Sequence, residues 1–302
     1  MRCLAGFTLA MTLLGFGSVQ GQSPACSPDA VTTDPVPVDT AYPPSTRVVQ
    51  IPSGEVRLNG VLYLAQGRGK HPTVVFLHGF PGDEKNLDLA QAVRRAGFNA
   101  LVFFYRGAWG SPGTYSYSHA LDDVDAVLEW LREPTTADSM RVDSRRLVLV
   151  GHSFGGFLAL YTAATNQDVA DVAALAPIDL GVRGAAMKDS SAFVRGAQRR
   201  EAQLGALRGT SGEALTREAL THSEKWRLPQ YVDVLARKRI LLLAATRDET
   251  VPASEVFEPL RASLRAAGAQ RLTAVTVPAD HVFSSARVRL AQILTRWLCG
   301  SD

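Results

Sequence analysis

Gly151-His152-Ser153-Phe154-Gly155-Gly156 sets a serine between the apolar run Leu147 to Val150 and a second apolar stretch, Phe157 to Tyr161. A serine hydroxyl in water is a poor nucleophile. It becomes useful when a tight turn between strand and helix presents it to a base and to backbone N–H donors. The flanking glycines suit such a turn, because strand and helix must pass closely on either side of a strained residue. A base is available among the six histidines. His281, in Ala279-Asp280-His281-Val282-Phe283, follows the last apolar run and is the best placed. His78 ends an earlier run and fits a bracing role, and His152 would leave the turn in another direction than its neighbour Ser153. An acid is needed to fix the tautomer of the base and to stabilise its cation. Asp248, in Thr246-Arg247-Asp248-Glu249-Thr250-Val251-Pro252, follows the preceding apolar run. Asp179 is the reserve, and Asp280 is too near His281 in the chain to reach its ring. The oxyanion donors expected are the backbone N–H of Phe154 and that of Phe80, in His78-Gly79-Phe80-Pro81-Gly82.

The surrounding chain has to hold these groups in place. Arg47 to Ile51 and Val56 to Ala65 read as strands joined at Ser53-Gly54, with a second turn or bulge at Asn59-Gly60. Thr73–His78, Asn99–Tyr105, Leu147–Val150, Val172–Ala176, Ile240–Ala245 and Leu272–Val277 are short apolar strands. Between them lie helical patterns over Leu87–Ala96, Ser118–Arg132, Phe154–Thr165 and Val256–Ala267, and Val288–Leu298 closes the series. In the second helix Leu121, Val124, Leu128 and Leu131 share one face. Short apolar strands alternating with helices predict an α/β fold, a doubly wound and mostly parallel sheet. Ligands bind beyond the carboxyl ends of such strands. His78, Arg106, Ser153, Asp248 and His281 all fall there.

The four motifs around His78, Ser153, Asp248 and His281, met in that order, resemble the α/β-hydrolase superfamily from about Arg47 to Leu298. The resemblance implies a serine hydrolase that needs no cofactor. The stretch Tyr105-Arg106-Gly107-Ala108-Trp109-Gly110-Ser111-Pro112-Gly113 is similar to a loop of the prolyl-oligopeptidase-like and dienelactone-hydrolase-like branches. The chain departs from both. The residues ahead of the first sheet motif cannot build the propeller of the former, and the nucleophile is serine where the latter typically use cysteine.

Candidate substrate-binding residues lie in that same loop. Arg106 suits either a substrate carboxylate or an internal one that ties the loop down. Trp109 and Tyr115 suit a pocket wall or the packing of the loop. The segment 179–239 is too long for a plain connection. It reads either as a helical lid over the site or as a peripheral insertion with a basic face.

A net charge of +3 with no Lys/Arg run argues against nucleic acid as a partner. No Cys/His spacing suggests a metal site. Arg2, the apolar stretch Leu4 to Phe16 and the small residues up to Gly21 predict a signal peptide over residues 1–21, with a cut after Ala25 as the alternative. The mature protein is then expected to be secreted or periplasmic, without a membrane span. A lipid anchor on Cys26 is disfavoured, since Ser23-Pro24-Ala25 lacks a leucine. Residues 22–46, rich in Pro, Ser, Thr and Asp, read as an extended linker with little structure. Export permits a disulfide, and Cys26 and Cys299 are the pair that remains once Cys3 is removed. The expected activity is hydrolysis of a small carboxylic ester. A short-peptide substrate, acyl transfer to an acceptor other than water, and an inactive binding module on the same fold are the alternatives.

Overall fold

The computed structural model describes residues 26–300; the proposed signal peptide lies outside the described residues. Eight strands form one sheet: β1 Ser45–Ser53, β2 Val56–Leu64, β3 His71–Leu77, β4 Asn99–Phe103, β5 Val142–His152, β6 Asp171–Leu175, β7 Arg239–Ala245 and β8 Leu272–Val277. Their spatial order is β1-β2-β4-β3-β5-β6-β7-β8. The β1–β2 and β2–β4 pairs are antiparallel, and every later pair is parallel. The α/β expectation holds, with an antiparallel edge.

β3 is buried at every position, as a strand covered on both faces must be. Its side chains alternate between two cores. Val75 and Leu77 join one that includes residues of α2 (Tyr117–Arg132), α4 (Phe154–Thr165) and α9 (Phe257–Ala266). Val74 and Phe76 join the other, with residues of α1 (Leu87–Arg95) and α10 (Arg287–Cys299). A short helix the sequence does not announce, α3 Pro134–Ser139, starts at a proline directly after α2.

One expectation needs correction. Asn59-Gly60 makes neither turn nor bulge, because β2 runs through it in unbroken register with β1. Glycine is present there for close approach. A Cβ would stand 3.1 Å from Val49 and 3.2 Å from the carbonyl of Val102. In the described part of the chain ahead of β1, Pro28–Val31 forms a 3₁₀ turn with Ala30 and Val31 buried, and the side chain of Arg95 donates to the carbonyl of Ala30 at 2.8 Å. Cys26 is bonded to Cys299, their Cα atoms 5.5 Å apart.

The segment between β6 and β7 is helical: α5 Leu180–Ala185, α6 Ser190–Glu201, α7 Gly212–Thr221 and α8 Val232–Leu235. Trp226 anchors it. This side chain is fully buried, with its ring 6.3 Å from those of Tyr117 and Phe157. No helix among the described residues is long and apolar enough to cross a membrane.

Candidate active site

Ser153 stands at the junction of β5 and α4 with φ 56° and ψ −117°. That region is costly for any residue with a Cβ, and it persists only where the surroundings enforce it. Here the Ser153 N–H donates to Leu175 O at 2.9 Å, and its carbonyl accepts from Phe157 and Ile178 N–H, each at 3.2 Å. Strand and helix close tightly around it. A Cβ on Gly151 would lie 1.9 Å from the carbonyl oxygen of Gly155, and one on Gly155 would lie 2.0 Å from that of Leu77.

His281 follows β8 and is held by Asp248, which follows β7. The Nδ1–Oδ2 separation is 2.6 Å. Oδ1 of the buried Asp248 accepts from Thr250 and Val251 N–H at 2.9 and 2.8 Å. With Nδ1–H donated to the carboxylate, the lone pair sits on Nε2 of His281. Asp179 is otherwise engaged. Its oxygens accept from Val182 N–H at 2.9 Å and Leu228 N–H at 3.0 Å, capping α5. Asp280 accepts from Ser284 instead of turning to the ring of His281.

Phe80 lies in the loop after β3, and Phe154 is the first residue of α4. The opening N–H groups of a helix have no intrahelical acceptor and point outward along its axis. The β3 loop comes close to Ser153, since a Cβ on Gly79 would be 3.2 Å from Cβ of Ser153. Ser153, His281, Phe80 and Phe154 line one cavity of about 660 Å³.

Arg106, Trp109 and Tyr115 do not line it, which corrects the expectation of substrate contacts. The Arg106 backbone N–H and Nε both donate to the buried Asp123, at 2.7 and 2.6 Å, so the internal carboxylate holds this arginine. The Trp109 indole N–H donates to Pro81 O at 2.9 Å, with the ammonium of Lys85 3.4 Å above the ring. Tyr115 is buried, and its N–H donates to Arg208 O at 2.9 Å. The loop braces the segment after β3 on one side and the helical insertion on the other. Further cavity wall is contributed by Tyr117 of α2 and by Leu180, Arg183, Met187 and Arg200 of the insertion, among others. The insertion therefore forms part of the wall of the site. Its length and its basic charge were its sequence signals.

A model of the alpha/beta hydrolase family matches residues 74–297, most of the chain. The chain belongs to the α/β-hydrolase family. This α/β-hydrolase is 30% identical over 138 residues to an uncharacterized protein of Mycobacterium tuberculosis, a match covering 45% of this chain and 47% of that one. Over 168 residues it is 30% identical to the quorum-quenching protein AidA of Acinetobacter baumannii, covering 50% of this chain and 54% of the other. The α/β-hydrolase thus spans about half the length of these curated relatives. Among solved structures, an esterase of Pyrococcus furiosus superposes with a TM-score of 0.59 at 18% identity, over 85% of this chain and 92% of that one. Est1E of Butyrivibrio proteoclasticus gives 0.60 at 18% identity, over 84% and 98%. At that identity the likeness speaks for the fold.

Two further histidines of this α/β-hydrolase, His152 and His78, are buried beside these groups. His152 packs its ring 4.7 Å from that of His281, and its Nε2–H donates to the carbonyl of His281 at 2.8 Å. Burial, and then the neighbouring His281, push its pKa down to about 3. His78 is likewise buried, which lowers it to about 4, and its Nδ1 lies 2.8 Å from Gly79 O in the loop after β3. Both groups are neutral in the fold at pH values where a free histidine, with pKa near 6.5, is charged. As the pH falls below 6.5 the unfolded chain takes up protons that the native state refuses, so stability is lost on acidification. The loss by pH 4 is expected to reach roughly 3 kcal/mol for each group. Urea unfolding at pH 7 and pH 4 measures it, and an unchanged midpoint would refute the neutral assignment.

Proposed function

We propose that this protein is an exported serine hydrolase that cleaves carboxylic esters through an acyl-enzyme. The observation that carries the reading is the 2.6 Å bond from His281 to the buried Asp248, with His281 and Ser153 lining the same cavity. Oγ of Ser153 attacks the ester carbonyl carbon while Nε2 of His281 takes its proton. The negative oxygen that forms is held by the N–H groups of Phe80 and Phe154. The carbon–oxygen bond to the alcohol then breaks, and the alcohol leaves with the proton from His281. Water attacks the acyl-serine by the same steps in reverse and restores the hydroxyl. The predicted leader and the Cys26–Cys299 bridge support export, since such bonds persist in oxidising compartments.

A panel of 4-nitrophenyl esters of graded chain length, run beside alanine and proline anilides, tests the substrate class. Turnover of esters well above anilides is expected. Anilide turnover far above ester turnover would replace the ester reading with a peptidase. The similarity to a quorum-quenching protein makes ester-containing signal compounds a sensible addition to the panel.

A further inference from the structure

The helical insertion brings three arginines to the cavity wall: Arg183, Arg199 and Arg200. They are not equivalent. Arg183 is neutralised inside the fold, donating to both carboxylate oxygens of Glu255 at 2.6 and 2.9 Å. Arg200 is half-buried and finds only neutral acceptors. Its Nε donates to the hydroxyl of Tyr117 at 3.1 Å, and one Nη donates to Gly196 O and to Oγ1 of Thr216, each at 3.3 Å. Among the described residues no carboxylate lies within 4.0 Å of that guanidinium. The acids that might have served are committed elsewhere. Glu201 accepts from Gly212 N–H at 2.6 Å, and Glu218 accepts from Tyr117 and Ser118 N–H at 2.9 and 2.8 Å. The side chain of the exposed Arg199 has no ion pair or hydrogen bond among the described residues. The other acid on the wall, Glu249, comes from the loop after β7 and is exposed.

A guanidinium partly withdrawn from water without a counter-ion is costly to keep. Its planar fork matches a carboxylate better than any other common group. Its position also fixes where that carboxylate would sit. Arg200 holds Tyr117, whose ring centroid is 5.1 Å from that of Phe154, the residue offering an oxyanion N–H. One aromatic ring therefore separates the cation from the reacting centre.

We infer that the cavity selects esters that carry a second, ionised carboxylate a few carbons from the scissile carbonyl, and that Arg200, assisted by Arg199, binds it. The inference rests on the proposed hydrolase reading. The test compares mono-4-nitrophenyl adipate with the neutral 4-nitrophenyl hexanoate, and 4-carboxyphenyl hexanoate with phenyl hexanoate, so that the charge is placed on either side of the ester. In one of the two pairs kcat/KM is expected to favour the anion by about 10- to 100-fold, the range of a charge-assisted bond. The preference should reside mainly in KM and weaken as salt is added. Arg200→Met and Arg199→Gln are read through the anion-to-neutral ratio, so a general loss from disturbed packing cancels. That ratio should collapse in Arg200→Met and be partly kept in Arg200→Lys. A wild-type ratio at or below one in both pairs, with hexanoate still turned over by Ser153, overturns the inference and leaves the hydrolase reading intact. Calorimetric binding to Ser153→Ala, of monomethyl adipate against methyl hexanoate and of 4-carboxyphenyl hexanoate against phenyl hexanoate, reads the anion site without turnover. Equal affinity in both pairs also overturns it, even if the hydrolase reading has failed.

Discussion

Ser153→Ala is expected to lower turnover of 4-nitrophenyl hexanoate by about 10⁴- to 10⁶-fold, the scale on which a lost nucleophile of a triad acts. It should also abolish labelling by a fluorophosphonate. The fold should survive the change. The contacts that fix this position are backbone contacts, from the Ser153 N–H to Leu175 O and from Phe157 and Ile178 N–H to its carbonyl. Alanine keeps all three and meets the same positive φ as the serine it replaces. A far-ultraviolet spectrum and a melting temperature near wild type, with label and activity gone, is the expected combination. Labelling that persists in Ser153→Ala would remove Ser153 as the nucleophile.

Asp248→Asn is expected to cost about 10⁴-fold in kcat while leaving the overall structure intact. The reason lies in how the carboxylate is held. Oδ1 is engaged by two backbone N–H groups, from Thr250 and Val251, so the amide oxygen of an asparagine must occupy that side. Its NH₂ then faces Nδ1 of His281 where Oδ2 stood. A donor in that place requires Nδ1 to accept, which moves the ring proton to Nε2 and removes the base from the nucleophile. Asp179 offers no relief while both its oxygens cap backbone amides. Steady-state rates across pH 6–10 check this, and near-normal activity would place the orienting acid elsewhere.

The groups at strand ends were legible because local rules decide them. An apolar run followed by Gly-x-Ser-x-Gly and another apolar run has few other ways to fold. The spacing of strand ends then puts Asp248 and His281 on the same edge as Ser153. Helix α4 and strand β8 match the sequence reading residue for residue. What was not legible depended on contacts between distant segments. Composition could not say whether Arg106 faces a ligand or Asp123, because that turns on a buried acid of α2. Trp109 and Tyr115 look like pocket residues until the antiparallel bridge from Ala108 to Leu207 ties their loop to the insertion. Whether the insertion faces the cavity could not be decided for the same reason. Its wall residues Leu180 and Arg200 lie on helices α5 and α6, and Met187 in the turn between them, in a segment anchored by Trp226 against the rings of Tyr117 and Phe157.

The Cys26–Cys299 bond makes a covalent ring of nearly all the described chain, with a sequence separation of 273 residues. A single cut by a protease at any surface loop inside that ring opens it without releasing a fragment. The two pieces stay tethered at the seam where α10 meets the N-terminal turn, and they can re-pair at high effective concentration. A first nick within the ring therefore leaves the pieces joined, and only a second cut within the ring, or reduction of the bond, can free a piece of the chain.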